Sequence, residues 1–402
     1  MTKIVNEAEV RRLLRPLAGE PETDPRIDVA ETMRRGAQLR RRHQAVTSAA
    51  YAAVLGLTIA GGVVMLPLGN REPAAEPMAS GSATTGWNAG LFPPSGAPIA
   101  PEGTGCAVSD FPVRDAQLYR TDRSGRWSVT GRAYSTGDLP PSIFRDGVPA
   151  GNVTVPDQYA VVTAINTAGE AAMTSEGDQT RPWALVNGVS TPLPGGAGTA
   201  TAINDSGRLG GTLDNGARPV VWDGPAASPA DLPMPDGFDR AVVVGIGNDG
   251  TVVGAVSSDL DNRAAMVLWL PGGARRVVSH ASEGVEQIRP VAAGDGWVVG
   301  RESTGLGFRY DIAADRYETL PGQLAAPVAV TANGAVAGLA AQSDGNDYGQ
   351  GAYVLLGDEV RPLEGIDGAT ATHISGITED GHTVFGNIET TDGTYRAVTW
   401  SC

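Results

Sequence analysis

A glycine turn between two apolar runs recurs seven times along this chain, and few folds are built that way. The turn glycines are Gly125, Gly169, Gly207, Gly250, Gly296, Gly334 and Gly381, spaced 44, 38, 43, 46, 38 and 47 residues apart. Asn, Asp or Ser precede most of them, as in Asn204-Asp205-Ser206 and Asn248-Asp249. A short run ending in glycine follows, as in Leu209-Gly210-Gly211, Val252-Val253-Gly254, Val298-Val299-Gly300 and Val384-Phe385-Gly386. Gly and Asn accept the positive φ that a tight hairpin needs, so each phrase predicts two antiparallel strands. The stretch from Ala241 to Val278 shows the whole unit. Apolar runs end near Ile246 and cover Thr251–Gly254, Ala264–Leu270 and Arg275–Val278, with Pro271-Gly272-Gly273 as a second turn. Each third run carries one bulky anchor: Phe144, Trp183, Trp222, Trp269, Tyr310, Tyr353 or Trp400. These are expected to pack between sheets as core. Four strands in each unit of about 40 residues predict an all-β chain folded as a seven-bladed β-propeller.

The two ends of the repeat array complement each other. The last unit stops after its third strand, at Val398-Thr399-Trp400-Ser401-Cys402. The stretch before the first unit, Cys106-Ala107-Val108-Ser109-Asp110-Phe111-Pro112, resembles fourth strands elsewhere, such as Asp231-Leu232-Pro233 and Thr319-Leu320-Pro321. The N-terminal strand is therefore expected to complete the last blade. The chain has only two cysteines. Cys402 would end the third strand of that blade and Cys106 would begin its fourth. A Cys106–Cys402 disulfide would stand in for the missing hairpin, stabilising by up to about 5–6 kcal/mol in the chain-entropy picture.

The segment before the propeller divides into three. Residues 1–44 are polar, with short helices expected; Asp24-Pro25 is a good helix start. Residues 45–68 form the predicted transmembrane helix. Val46 to Leu68 has no charged residue, and its helical length of about 34 Å spans a hydrocarbon core. Arg34, Arg35, Arg40, Arg41 and Arg42 lie before it, and only Arg71 lies close after it. That asymmetry predicts a single-pass signal-anchor with the N-terminus in the cytosol and the propeller on the extracytoplasmic side of the cell membrane. The long leader and the lack of a small-x-small site favour this over a cleaved signal peptide. An oxidising location also suits the disulfide. Residues 69–105 are rich in Pro, Ala, Gly and Ser and read as a disordered tether. Residues 106–402 are the propeller.

Charge narrows the partners. Residues 1–43 hold ten Lys and Arg and seven acids, so the remainder carries 20 basic against 38 acidic residues, a net of −18. Such a surface repels a phosphate backbone, and no nucleic-acid partner is expected.

At Asn204-Asp205-Ser206-Gly207-Arg208-Leu209-Gly210-Gly211, followed by Arg218-Pro219-Val220-Val221-Trp222 and Asp231-Leu232-Pro233, the chain resembles the extracellular HAF repeat. Ala264-Ala265-Met266-Val267 and Arg396-Ala397-Val398-Thr399-Trp400 match the third strand of that repeat loosely, without its His. The resemblance implies an exported repeat propeller and carries no catalytic residues with it. The N-terminal layout resembles the flanks of actinobacterial single-pass proteins; the zinc-binding His and Cys pattern of the anti-sigma factors among them is missing.

No catalytic constellation stands out in the sequence. The four histidines are His43, His280, His373 and His382, with no second His at metal-ligand spacing. Gly300-Arg301-Glu302-Ser303-Thr304-Gly305 misses a nucleophile elbow by one residue. The acidic loops Asp259-Leu260-Asp261-Asn262 and Asp344-Gly345-Asn346-Asp347 offer oxygen ligands for calcium, but Asx-rich turns account for them as well. No metal or cofactor is expected, and the reading leans away from an enzyme. The expected function is a binding or scaffolding module for an envelope protein, peptide or glycan, presented on loops such as Ser257–Arg263 and Gln342–Gly351. The alternative is a channel-sited hydrolase or lyase acting on an envelope polysaccharide or small molecule, using His280 or His373. A signalling receptor acting through residues 1–43 ranks third, because a flexible tether transmits orientation poorly.

Overall fold

The computed structural model describes residues 104–113, 116–132, 141–153, 159–176, 180–258, 260, 263–278, 287–340, 351–391 and 393–402. Within them lie seven antiparallel sheets of four strands, and the chain is an all-β seven-bladed propeller. Blade 4 shows the plan: Arg240–Ile246, Val252–Ser257, Ala264–Trp269 and Arg275–Val278 pair in sequence order. The first strand of each blade packs against the first strands of both neighbouring blades, so these strands are innermost and surround the axial channel. They are Ala116–Thr121, Tyr159–Ile165, Gly198–Ile203, Arg240–Ile246, Ile288–Gly294, Ala326–Val330 and Ala369–Ile377, for blades 1 to 7.

The expected cytosolic helices and membrane span lie outside the described residues, as does the tether apart from Thr104 and Gly105. Among the described residues no helix is long and apolar enough to cross a membrane.

Blade 7 is built from both ends of the chain. Its first three strands are Ala369–Ile377, Thr383–Thr390 and Tyr395–Ser401, and its fourth is Ala107–Asp110. Ala107 pairs with Ser401 and Asp110 with Val398. Cys106 and Cys402 form a disulfide with their Cα atoms 4.5 Å apart. The same strand is tied to blade 6, because the Cys106 amide donates to the Pro362 carbonyl (2.9 Å) and the Glu364 amide to the Cys106 carbonyl (3.2 Å).

Packing between blades explains the repeat phrase. All seven turn glycines have positive φ, between 72° and 88°, which a β-carbon would strain. In blades 4 and 7 the glycine ending the second-strand phrase clears room for the anchor. A β-carbon on Gly254 would come within 2.5 Å of the Trp269 ring, and one on Gly386 within 3.0 Å of Trp400. Trp222, Trp269, Tyr310, Trp400 and Phe144 are buried; Trp183 and Tyr353 are partly buried. The indole N–H of three anchors donates to a carbonyl just beyond the preceding blade. Trp222 reaches Pro194 (2.9 Å), Trp269 reaches Pro233 (2.9 Å) and Trp400 reaches Glu364 (2.8 Å). A buried indole needs such an acceptor, which ties each fourth strand to the next blade.

Candidate functional site: a locked channel mouth

The turns after the innermost strands hold themselves rigid. Oδ1 of Asn166 accepts from the amides of Ala168 and Glu170, at 3.1 and 2.9 Å. Asn204 does the same for Ser206 and Arg208. The amide of each side chain then donates to the neighbouring blade, Asn166 to the Asn204 carbonyl (3.0 Å) and Asn204 to that of Gly247 (3.2 Å). Asp122, Thr331 and Thr378 fill the same place in blades 1, 6 and 7 with Asx- and ST-type bonds.

The next residue of each turn converges on the axis. Its occupants are Arg123, Thr167, Asp205, Asn248, Asp295, Ala332 and Glu379. Five backbone amides donate to the same position one blade on. Thr167 donates to Asp205 (3.1 Å), Asp205 to Asn248 (3.0 Å), Asn248 to Asp295 (2.7 Å), Ala332 to Glu379 (2.7 Å), and Glu379 to the Arg123 carbonyl (2.7 Å). Arg123 crosses the ring. Its guanidinium hydrogen-bonds Asp205 of blade 3 and Asp295 of blade 5, and Glu379 of blade 7 lies 3.8 Å away. The Asn248 amide joins Asp205 (3.2 Å) to Asp295 (2.9 Å). One cation and three carboxylates thus close this mouth of the channel.

The charges reinforce one another. Burial works against the charge on Arg123, but the bond to Asp295 and the fields of Asp205, Asp295 and Glu379 outweigh it and raise its pKa. Burial likewise opposes ionisation of Asp205. Donors from Thr167 and Asn248, with the Arg123 charge, overcome that and hold its carboxyl below the usual range.

Above the ring, every innermost strand has a β-bulge at the same place. The residue left out of the pairing is Tyr119, Thr163, Thr201, Val244, Val291, Val328 or Ser375, for blades 1 to 7. A bulge turns a side chain away from the strict alternation of a strand. Three hydroxyls use this to bridge blades at 2.6 Å: Thr163 to the Ala200 carbonyl, Thr201 to that of Val243, and Ser375 to that of Leu118.

Other candidates fall elsewhere. His382 is exposed just after its turn. His373 sits on the innermost strand of blade 7, its Nε2 3.9 Å from Glu389 and its ring tilted against Tyr395. Despite that carboxylate, burial pulls its pKa down to about 4, so it is neutral at pH 7. His43, His280, most of the Asp259–Asn262 loop and the Asp344–Asp347 loop lie outside the described residues. The described residues of Ser257–Arg263 lie between a second and a third strand, at the end opposite the ring; of Gln342–Gly351 all but Gly351 lies outside the described residues. Glu302 is buried and accepts from the hydroxyls of Thr304, Tyr317 and Thr319, which tie it to the framework of blade 5. Among the described residues no group of three or more His, Cys, Asp or Glu is placed to hold a metal ion. A cleft of about 210 Å³ between blades 3 and 4 is lined by Arg208, Leu232, Gly250 and Trp269; Arg208 is already paired with Asp223 at 2.9 Å.

Sequence reasoning placed the ring residues in turns and missed their convergence. Asx turns use the same residue types, and only closure of seven blades reveals that one position per turn faces the axis.

No protein-family model matches the chain, and no curated protein matches it. Solved structures do. An oligogalacturonate lyase in complex with manganese is 13% identical, with 76% of this chain and 95% of that one covered and a TM-score of 0.51. An oligogalacturonate lyase from Vibrio parahaemolyticus is 12% identical, with 76% and 96% covered and a TM-score of 0.51. A streptogramin B lyase is 14% identical, with 73% and 98% covered and a TM-score of 0.49. At these identities the likeness to the two oligogalacturonate lyases shows the propeller fold alone.

Proposed function

We propose that the chain is a single-pass membrane protein whose extracytoplasmic propeller binds an envelope protein, peptide or glycan. The Arg123 ring carries this reading. Its guanidinium and three carboxylates satisfy one another, which suits a rigid frame that presents loops better than a centre needing an uncommitted acid or base. Three further features agree with it. The disulfide fits an oxidising compartment; the Arg-flanked apolar run Val46–Leu68 fits an anchor; the repeat resembles the exported HAF type.

The test is capture. The full-length oxidised chain, purified and immobilised, is exposed to solubilised envelope proteins and to wall glycan fragments. Stoichiometric retention of one species is the expected result. Retention of nothing by folded protein, together with cleavage of the glycan fragments, would overturn it in favour of the hydrolase or lyase reading.

A further inference from the structure

Two features of the channel wall remain unexplained by the locked mouth. The bulge residues divide into two arcs. Blades 7, 1, 2 and 3 contribute the hydroxyl residues Ser375, Tyr119, Thr163 and Thr201; blades 4, 5 and 6 contribute Val244, Val291 and Val328. Val291 is 38% exposed. It belongs to an innermost strand flanked by blades on both sides, so that exposure faces the channel. Val291 thus opens toward the lumen across from blade 1, with Val244 and Val328 half-buried on either side of it and packed partly against the core between blades.

The position after the bulge is stranger still. Six blades supply Ala164, Ala202, Gly245, Ala292, Ala329 and Gly376, while blade 1 supplies Arg120. Its Nε donates to the Thr163 carbonyl (2.9 Å) and its Nη1 to the Tyr119 carbonyl (2.8 Å). Burial lowers its pKa, and no carboxylate among the described residues offsets that. A guanidinium stays protonated even so. Arg120 as a residue is half-buried on this innermost strand. Next to it the Tyr119 hydroxyl is buried with no hydrogen-bond partner among the described residues. An enclosed cation without a counter-charge is costly to keep. The chain demonstrates the compensated alternative three residues later, at Arg123.

We infer that the channel at the level of the bulges binds a small organic anion, its carboxylate held by Arg120 and its hydrocarbon part laid on Val244, Val291 and Val328. The ligand supplies the counter-charge that Arg120 lacks among the described residues and covers Val291. This site is separate from the loop surface of the proposed function and stands whether or not that surface binds a partner.

Calorimetry and thermal melting of the full-length chain test it, with acetate, butyrate and hexanoate as probes and hexanamide and inorganic phosphate as controls. Hexanoate is expected to bind and to raise the melting temperature, with affinity growing with chain length. Hexanamide and phosphate each bind at least about tenfold more weakly. Arg120→Met loses hexanoate binding by about tenfold or more, and its melting temperature no longer rises with added hexanoate, which the loss of a merely structural arginine would not cause. Val291→Asn weakens hexanoate and leaves acetate unchanged. Absence of hexanoate binding at millimolar concentration overturns the inference. So does an Arg120→Met variant that binds hexanoate as the parent does. If Arg120→Met fails to fold, Val291→Asn decides: unchanged hexanoate affinity overturns the placement.

Discussion

Blades 4 and 7 reach the same four-stranded geometry by different means. In blade 4 every strand follows its neighbour in sequence, and the third and fourth are joined by a tight turn in which the Gly273 amide donates to the Leu270 carbonyl (3.1 Å). In blade 7 the equivalent junction is a sulfur bridge between residues separated by 296 positions. Both blades bury a third-strand tryptophan, and in both its indole N–H meets the carbonyl after the preceding blade. Packing between blades is therefore indifferent to how a blade is connected. Connection decides how the blade opens, because a local hairpin re-forms from its own ends whereas a long-range pairing must recover a large loop entropy.

The largest test of that contrast removes the bridge. Cys402→Ser is expected to cost about 2–5 kcal/mol in chemical denaturation. Hydrogen exchange should quicken first in Ala107–Asp110 and Tyr395–Ser401, with blade 4 unchanged. Equal acceleration in both blades would erase the distinction. The next effect is acid-dependent and belongs to blade 7 alone. His373 has a folded pKa of about 4 and an unfolded value near 6.5. Between these values the unfolded chain takes up a proton that the folded chain refuses, so stability falls as pH drops from 6.5 toward 4, by up to about 3 kcal/mol. His373→Gln should flatten the stability profile in that window and leave it unaltered above pH 7. Smaller is the matched pair Trp400→Phe and Trp269→Phe. Each loses one indole bond to a carbonyl, at about 0.5–1.5 kcal/mol by thermal melting. Near-equal costs are expected, and a much larger loss at Trp400 would show that packing does sense connection. The smallest is Arg396→Gln at the exposed Arg396–Asp110 pair, expected to cost below about 1 kcal/mol and to vanish in high salt.

The repeat made much of this fold legible. Seven glycines before a small-residue strand demanded positive φ, and seven bulky anchors demanded the space that Gly254 and Gly386 leave. The two cysteines were readable because the missing strand and the missing hairpin fell in the same blade. The site was harder. Arg123, Asp205, Asp295 and Glu379 look like ordinary turn residues, since their meeting across the axis depends on closure and on no local pattern. Arg120 did leave a trace. It stands five residues before its turn glycine, where Ala164, Ala202, Gly245, Ala329 and Gly376 stand before theirs. The trace is a departure from the repeat, and a search for the repeat passes over departures.

The bridge at Cys106 also settles how the propeller carries load. The chain enters the fold and leaves it at one covalent point, so a pull on the segment before Cys106 acts on a closed loop of polypeptide. Tension passes through sulfur to Cys402 and through the Cys106 backbone to Pro362 and Glu364 of blade 6. Ala107–Asp110 is shielded from being peeled off its partner strand, the weakest direction for a β-ladder. A force applied at Cys106 would therefore be shared by blades 6 and 7 from the outset.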